Sequence, residues 1–219
     1  MKSKALKYLN ISGFTLIESL ISIALLAVIS TIAINIFSSA VQSYNKANIL
    51  NELQQNGNYV ITLMEQKIRN AEEIINYETI GACSIPSADC SGNTWVVIKT
   101  KNPGPTDPEC IEFGLASPNP GVKNPYIYMA EPTLSSQCVF PSRPSEAAGV
   151  DKQELTNANY ADPKSGVNIT SLEFVIDTVK DPPLVEILIS LSQGEGTSSR
   201  PQYHADINLK TTVSLRSYE

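Results

Sequence analysis

The chain has 219 residues, with 16 basic and 22 acidic side chains, which gives a formal charge of −6 at pH 7. This acidity argues against binding nucleic acid or anionic lipid through charge, and the sequence after the first residues contains no cluster of Lys and Arg. The length allows one folded domain, or a stalk followed by one domain.

Residues 1–13 form a short basic segment that ends in a glycine. The segment contains Lys2, Lys4 and Lys7, no acidic residue, and Gly13 at its end. Positively charged segments stay on the cytoplasmic side of a membrane. We therefore expect the N-terminus inside and the rest of the chain outside.

An apolar run follows at once, and Glu18 is the only charged residue between positions 14 and 37. As a helix this run spans about 36 Å, enough to cross a bilayer core of about 30 Å. A charge at the centre of such a helix costs roughly 2.5–3.5 kcal/mol, and less near its end. A plain membrane anchor would not need this carboxylate.

The stretch Gly13-Phe14-Thr15-Leu16-Ile17-Glu18 resembles the processing and methylation site of type IV prepilins and of type II secretion pseudopilins. The resemblance covers the first quarter of the chain. It implies that a membrane peptidase cuts between Gly13 and Phe14 and that the new N-terminal Phe14 is N-methylated. It also implies that Glu18 takes part in assembly by meeting the N-terminal amine of a neighbouring subunit. The alternatives are ordinary signal cleavage near Ala40 and a Glu18 that only sits at the membrane surface.

Residues 38–78 are expected to continue the same helix in amphipathic form. Apolar residues recur at helical spacing, mostly in steps of three, four or seven, as far as Ile75. Gly57 weakens a helix by about 1 kcal/mol relative to alanine, so it marks either a close packing contact or a break. The polar residues of the apolar run either bond back to their own helix or face neighbouring helices: Thr15, Ser19, Ser22, Ser30, Thr31 and Asn35.

Four cysteines, Cys83, Cys90, Cys110 and Cys138, suggest two disulfides in an exported domain. Three connectivities are open, and we favour Cys83–Cys90 with Cys110–Cys138. The alternative of a zinc site lacks a Cys-x-x-Cys spacing and has only His204 to add.

Residues 79–219 are predicted to form an extracytoplasmic β-rich head domain. Short apolar runs predict strands at 95–98, 110–113 and 126–129. Longer ones predict an antiparallel hairpin series at 167–179, 184–191 and 207–215, with a bulge near Thr170 because the apolar positions shift phase there. The predicted fold is α+β: a long N-terminal helix, transmembrane and then amphipathic, packed on an antiparallel sheet, the pilin-like arrangement that the resemblance also implies.

Candidate catalytic or ligand-binding residues are few. His204 and Asp206 are two residues apart on a predicted strand and read best as a solvated face. The acidic loops 151–162 and 181–195 lack the spacing of an EF-hand, although a calcium site there stays open. We expect no cofactor and no enzyme activity.

The expected function is that of a structural subunit of a type IV pilus or type II secretion-like filament. Residues 53–59, 64–71 and 210–216 resemble PilW-like minor pilins and J-type pseudopilins, which implies a role in starting assembly. The implied partners are other pilins, a prepilin peptidase and N-methyltransferase, an inner-membrane assembly platform and the membrane, with no nucleic acid. The implied location is the cytoplasmic membrane and then a filament. The alternative is a membrane-anchored binding or enzymatic domain outside any filament.

Overall fold

The computed structural model describes residues 14–75, 90–100, 110–116, 123–132, 138, 145, 149–159, 166–177, 179–194 and 204–216. The predicted leader 1–13, including Gly13, lies outside the described residues. The chain divides between Tyr44 and Asn45 into two compact units.

One helix and nine strands make up the described secondary structure. They are α1 (Leu16–Arg69), β1 (Ala71–Ile75), β2 (Cys90–Asn93), β3 (Trp95–Thr100), β4 (Cys110–Ala116), β5 (Tyr126–Ala130), β6 (Lys152–Glu154), β7 (Val167–Asp177), β8 (Leu184–Gln193) and β9 (Asp206–Ser214). The α+β class and the antiparallel head are confirmed.

The strands form two antiparallel sheets. The first has five strands in the order β1-β3-β4-β5-β6, and the second has four in the order β2-β7-β8-β9. The expected hairpin series is β7-β8-β9, and the predicted bulge is present, since the β7–β8 register shifts between Ile169 and Ser171. The second sheet was not foreseen.

The helix does not reach Ile75 as predicted. It ends at Arg69, and Ala71–Ile75 form β1, which pairs with β3 through Ile74 opposite Ile98 and Ile75 opposite Val97. Ala71 and Ile75 keep helical spacing, so the local pattern alone favours helix. Pairing with a strand far along the chain decides the outcome instead.

Residues of α1 from Asn45 onward bury one stripe in the head. The buried positions are Ile49, Leu53, Gly57, Val60, Met64 and Ile68, three or four residues apart. The apolar side chains among them share one core with apolar residues of both sheets.

Gly57 marks a close packing contact, which was one of its two predicted meanings. A Cβ atom at this position would lie 2.2 Å from Leu209 Cδ1 and 3.3 Å from Leu191 Cδ1. The helix continues without a break through Gly57. Because glycine has no side chain, the helix can lie close to β8 and β9 at this point.

Polar contacts also hold α1 to the head. Lys67 Nζ lies 2.8 Å from Glu131 Oε1, and Thr211 Oγ1 donates to Glu65. The backbone N–H of Asn157 donates to Asn56 Oδ1 at 3.2 Å.

A buried carboxylate lies on the other face of the five-stranded sheet. Glu112 of β4 is fully buried and accepts hydrogen bonds from the Tyr128 hydroxyl (2.6 Å), the Ser145 hydroxyl (3.0 Å) and the Ser145 backbone N–H (2.8 Å). Two residues earlier, Cys110 is disulfide-bonded to Cys138. Both contacts fix later parts of the chain to β4.

Candidate functional site: the N-terminal segment

The first part of α1 exposes apolar side chains on all its sides. Between positions 14 and 37 every residue is exposed, including Phe14 (74%), Ile23 (68%) and Phe37 (72%). This is the pattern of a helix whose natural surroundings are apolar, because water disfavours so large an apolar surface. Among the described residues, α1 is long enough and apolar enough to span a membrane.

Thr15 caps the start of this helix. Its hydroxyl accepts a hydrogen bond from the Glu18 backbone N–H at 3.3 Å, and its carbonyl accepts one from Ser19 N at 3.1 Å. Thr15 and Glu18 have the spacing of a capping box, Thr-x-x-Glu. This capping role of Thr15 was not predicted, although its spacing to Glu18 is visible in the sequence.

The hydroxyl groups of the apolar segment bond back to their own helix. Ser22 Oγ donates to the Glu18 carbonyl at 2.8 Å, Ser30 Oγ to the Leu26 carbonyl at 2.7 Å, and Thr31 Oγ1 to the Val28 carbonyl at 2.8 Å. Of the two predicted roles, the structure shows internal bonding for these hydroxyls, and for Asn35 both roles stay predictions. These hydroxyls therefore need no outside partner in a lipid environment.

Glu18 differs from these hydroxyls. The residues that the structure describes contribute no hydrogen bond and no ion pair to its carboxylate, although its backbone is fully bonded in the helix. At a surface site, the helix dipole stabilises a carboxylate in the first turn by about 0.3–1 kcal/mol. A carboxylate taken into a lipid or a helix bundle still requires a partner charge or hydrogen bonds.

The predicted cysteine pairing is confirmed for one pair. Cys110 and Cys138 form a disulfide with Cα atoms 6.1 Å apart. Cys83 lies outside the described residues, and only the backbone of Cys90 is described, as the start of β2. The Cys83–Cys90 pairing stays a prediction.

The described part of the chain offers little support for a metal site or for a catalytic pair at His204 and Asp206. It contains no group of three His, Cys, Asp or Glu side chains placed to hold a metal ion. His204 and Asp206 are both exposed, and His204 precedes β9 rather than lying on it. The buried Glu112 is enclosed by Tyr128 and Ser145, which donate hydrogen bonds to it and are thereby held against β4.

Comparison with known proteins bears on the N-terminal segment. Residues 9–34 match the family model of the prokaryotic N-terminal methylation motif. A search of the curated proteins and a search of the solved structures found no match. The motif and the apolar helix are consistent with anchoring in a membrane. In this segment, at the start of its long helix, the chain resembles type IV pilin-like proteins, which carry the prepilin-type methylation motif.

Proposed function

We propose that the chain is a structural subunit, a minor pilin or pseudopilin, of a type IV pilus or type II secretion-like filament. A prepilin peptidase cuts it after Gly13 and methylates Phe14, and the subunit helps to start filament assembly. The observation that carries the proposal is the exposed apolar stretch 14–37 with one carboxylate, Glu18, inside the methylation motif.

Cleavage creates a positive charge next to the carboxylate. The new amino group of Phe14 stands about one helical turn from Glu18. When helices of several subunits bundle with an axial offset, the amine of one meets the Glu18 carboxylate of another in apolar surroundings. A paired buried charge is tolerated and an unpaired one is costly, so this pair fixes the register of the bundle.

The remaining partners follow from this role. The helix holds the subunit in the cytoplasmic membrane, with the N-terminus inside and the head outside, until an inner-membrane assembly platform passes it into the filament. The acidic head binds no nucleic acid through charge, and no catalytic role is proposed for it. The role in starting assembly rests on the resemblance of residues 53–59, 64–71 and 210–216 to PilW-like and J-type subunits.

The first experiment determines the mature N-terminus. Mass spectrometry of the full chain expressed with a prepilin peptidase is expected to give N-methylated Phe14 as the first residue. Gly13→Val should keep the leader attached, and Ser12→Ala is the matched control that should be cut normally. A chain that keeps Met1, or starts near Ala40, would show a membrane-anchored domain outside any filament.

The second experiment separates the charge of Glu18 from its size. Glu18→Gln keeps the shape and loses the charge, and Glu18→Ala loses both. Both variants should remain in the membrane and be lost from the sheared filament fraction, whereas Ser22→Ala, which changes only a self-bonded hydroxyl one turn later, should enter filaments normally. Normal incorporation of Glu18→Gln would refute the pairing role.

A further inference from the structure

Asn35 is the polar residue of the apolar segment whose role stays open. The hydroxyl groups of this segment make hydrogen bonds within their own helix, at Thr15, Ser19, Ser22, Ser30 and Thr31. The residues that the structure describes make no such bond with the side chain of Asn35, which is exposed on the same helix. Its carboxamide therefore has two N–H donors and one carbonyl acceptor to offer an outside partner.

The depth of Asn35 in a membrane makes such a partner necessary. At 1.5 Å per residue, Glu18 and Tyr44 are about 39 Å apart along α1, close to the thickness of about 40 Å of a bilayer with its headgroup regions. Tyrosine favours the membrane surface, and Tyr44 is exposed. With these two residues at the two surfaces, Asn35 is about 25 Å from Glu18 and inside the hydrocarbon core of about 30 Å. An amide without hydrogen bonds is costly there.

We propose that Asn35 binds Asn35 of a second copy of the chain, in a parallel pair of N-terminal helices within the membrane. Two copies inserted with the same orientation run in the same direction. A two-fold axis along the membrane normal then brings identical residues to the same depth. The carboxamide is self-complementary, because an N–H of each copy can donate to the carbonyl of the other. Asparagine forms hydrogen bonds across membrane helices, and one asparagine in a helix seam fixes its register.

The residues on the same helix face as Asn35 fit a close pair. Alternating steps of three and four residues give one seam, made of Phe14, Ile17, Ile21, Ala24, Val28, Thr31, Asn35 and Ser38. Thr31 and Ser38, the neighbours of Asn35 in this seam, are small and let two backbones approach. The Thr31 hydroxyl donates to the Val28 carbonyl at 2.8 Å. The Ser38 hydroxyl accepts a hydrogen bond from Gln42 Nε2 at 3.3 Å, so both hydroxyls already have a partner.

The charge of Glu18 decides between two possible seams. A second seam through Asn35 would also include Ile32 and Ser39, but it contains Glu18 itself and would oppose two carboxylates in apolar surroundings. In the proposed seam Glu18 only follows Ile17. It therefore lies beside the seam, and the two carboxylates of a parallel pair are on opposite sides of it.

This pair belongs to the membrane stage of the proposed function and rests on it only for the insertion of the helix. The pairing of Glu18 with the Phe14 amine requires an axial offset between two helices, whereas the pairing of Asn35 requires none. Two neighbouring helices therefore cannot make both contacts at once. A dimer held by Asn35 must shift along its seam before its subunits enter a filament.

Cysteine cross-linking in membranes tests the seam, with the full-length chain expressed in the absence of other pilin-like proteins. Ser38→Cys places two thiols in the seam, and oxidation is expected to give a disulfide-linked dimer on a non-reducing gel. Ala40→Cys is the matched control, since it is also small and at nearly the same depth but lies on the face away from the partner. The wild-type chain measures the background from the native cysteines. Equal cross-linking of the two variants, none at Ser38→Cys, or more at Ser39→Cys than at Ser38→Cys would overturn the proposal.

Substitution of Asn35 tests the amide. In the Ser38→Cys chain, Asn35→Ala removes the amide, keeps the close approach and should lower the cross-linked fraction roughly threefold. Asn35→Gln retains an amide on a longer side chain and should keep more cross-linking than Asn35→Ala. Ser30→Ala, which removes a self-bonded hydroxyl away from the seam, should change nothing. Unchanged cross-linking in Asn35→Ala, or an equal loss in Ser30→Ala, would show that the amide does not hold the pair.

Gly13→Val separates this proposal from the proposed function. It should keep the leader attached and keep the chain out of filaments, and a chain with both Gly13→Val and Ser38→Cys should cross-link as strongly as Ser38→Cys alone. Loss of cross-linking in that chain would tie the contact to processed subunits and would overturn a dimer of the membrane stage. Cross-linking without N-methylated Phe14 in the normal chain, or N-methylated Phe14 without cross-linking, shows which of the two proposals fails.

Discussion

Glu18 and Glu112 both lie among apolar residues, but they differ in the hydrogen-bond partners that the described chain gives their carboxylates. Glu112 is fully buried and receives three hydrogen bonds from Tyr128 and Ser145. The carboxylate of Glu18 is exposed on an apolar helix, and the described residues give it no such partner. The head provides hydrogen-bond partners for its buried carboxylate within one chain, whereas the partner that we propose for Glu18 belongs to another molecule.

The same contrast runs along α1 itself. From Asn45 onward the helix hides one stripe, including Leu53 and Met64, and leaves its other sides polar. Before Tyr44 it has no hidden side and almost no charge. The later stretch of the helix fits a fixed protein surface, and the earlier one is consistent with apolar surroundings.

Met64→Ala should give the largest loss of stability. Met64 is fully buried in the shared core, so its truncation leaves a cavity and should lower the free energy of unfolding by about 2–5 kcal/mol. Urea unfolding of the detergent-solubilised chain, followed by the fluorescence of Trp95, measures the change. Trp95 is the only tryptophan and is buried. Gln66→Ala, on the exposed side of the same turn, should change little, and an equal effect of both variants would contradict the assignment of the buried stripe.

Glu112→Ala should be the next most costly change. It removes the buried acceptor of the Ser145 N–H and the shorter of the two hydrogen bonds of the Tyr128 hydroxyl, and we expect a loss of roughly 2–3 kcal/mol in the same assay. Glu112→Gln keeps one acceptor oxygen and should cost less. Glu18→Ala is the counterpart in the other region and should leave the unfolding of the head unchanged. A large effect of Glu18→Ala on head stability would remove the contrast between the two carboxylates.

Gly57→Leu should cost about 1–3 kcal/mol, because the added side chain must displace Leu209 and Leu191 from the helix surface. Gly57→Ala should cost less, since Leu209 is only partly buried and can rotate away while alanine favours the helix. Asn58→Leu is exposed and one residue further along, so it serves as the control for adding the same side chain. If Gly57→Leu and Asn58→Leu behaved alike, the close contact with β9 would be wrong.

Local patterns predicted much of this fold. The alternation of β9, the apolar runs of β3, β4 and β5, and the phase shift at Thr170 are all properties of neighbouring residues, and each corresponds to a strand or a bulge in the structure. Strand β1 was assigned to the helix because its pattern fits both, and only its pairing with β3 decides between them. The charged strand β6, Lys152–Glu154, is too short to show any period. The division into two sheets depends on which distant strands meet, and no local pattern records that.

The candidate site was more visible in sequence than the head. The apolar run, Glu18 and the predicted cut site stand within a few residues of one another, so their relation needs no knowledge of the fold. The partners of Gly57 and Glu112 lie far away in sequence, at Leu209 and Ser145, and could not be named in advance. For the cysteines, the spacing left three pairings open, and the fold was needed to bring Cys110 to Cys138.

Ile23→Ala should have the smallest effect on the stability of the head. It tests the exposed stretch of α1, as Met64→Ala tests the buried stretch. Ile23 is 68% exposed on the apolar segment, and its removal leaves no cavity within the described chain. Its effect on urea unfolding of the head should lie within about 0.5 kcal/mol, the usual range for surface positions. The same change removes apolar surface that lipid or neighbouring helices would cover, so extraction from membranes by mild detergent should become slightly easier. A loss of head stability comparable to that of Met64→Ala would mean that Ile23 packs against the folded head, and the two stretches of α1 would then not be built for different surroundings.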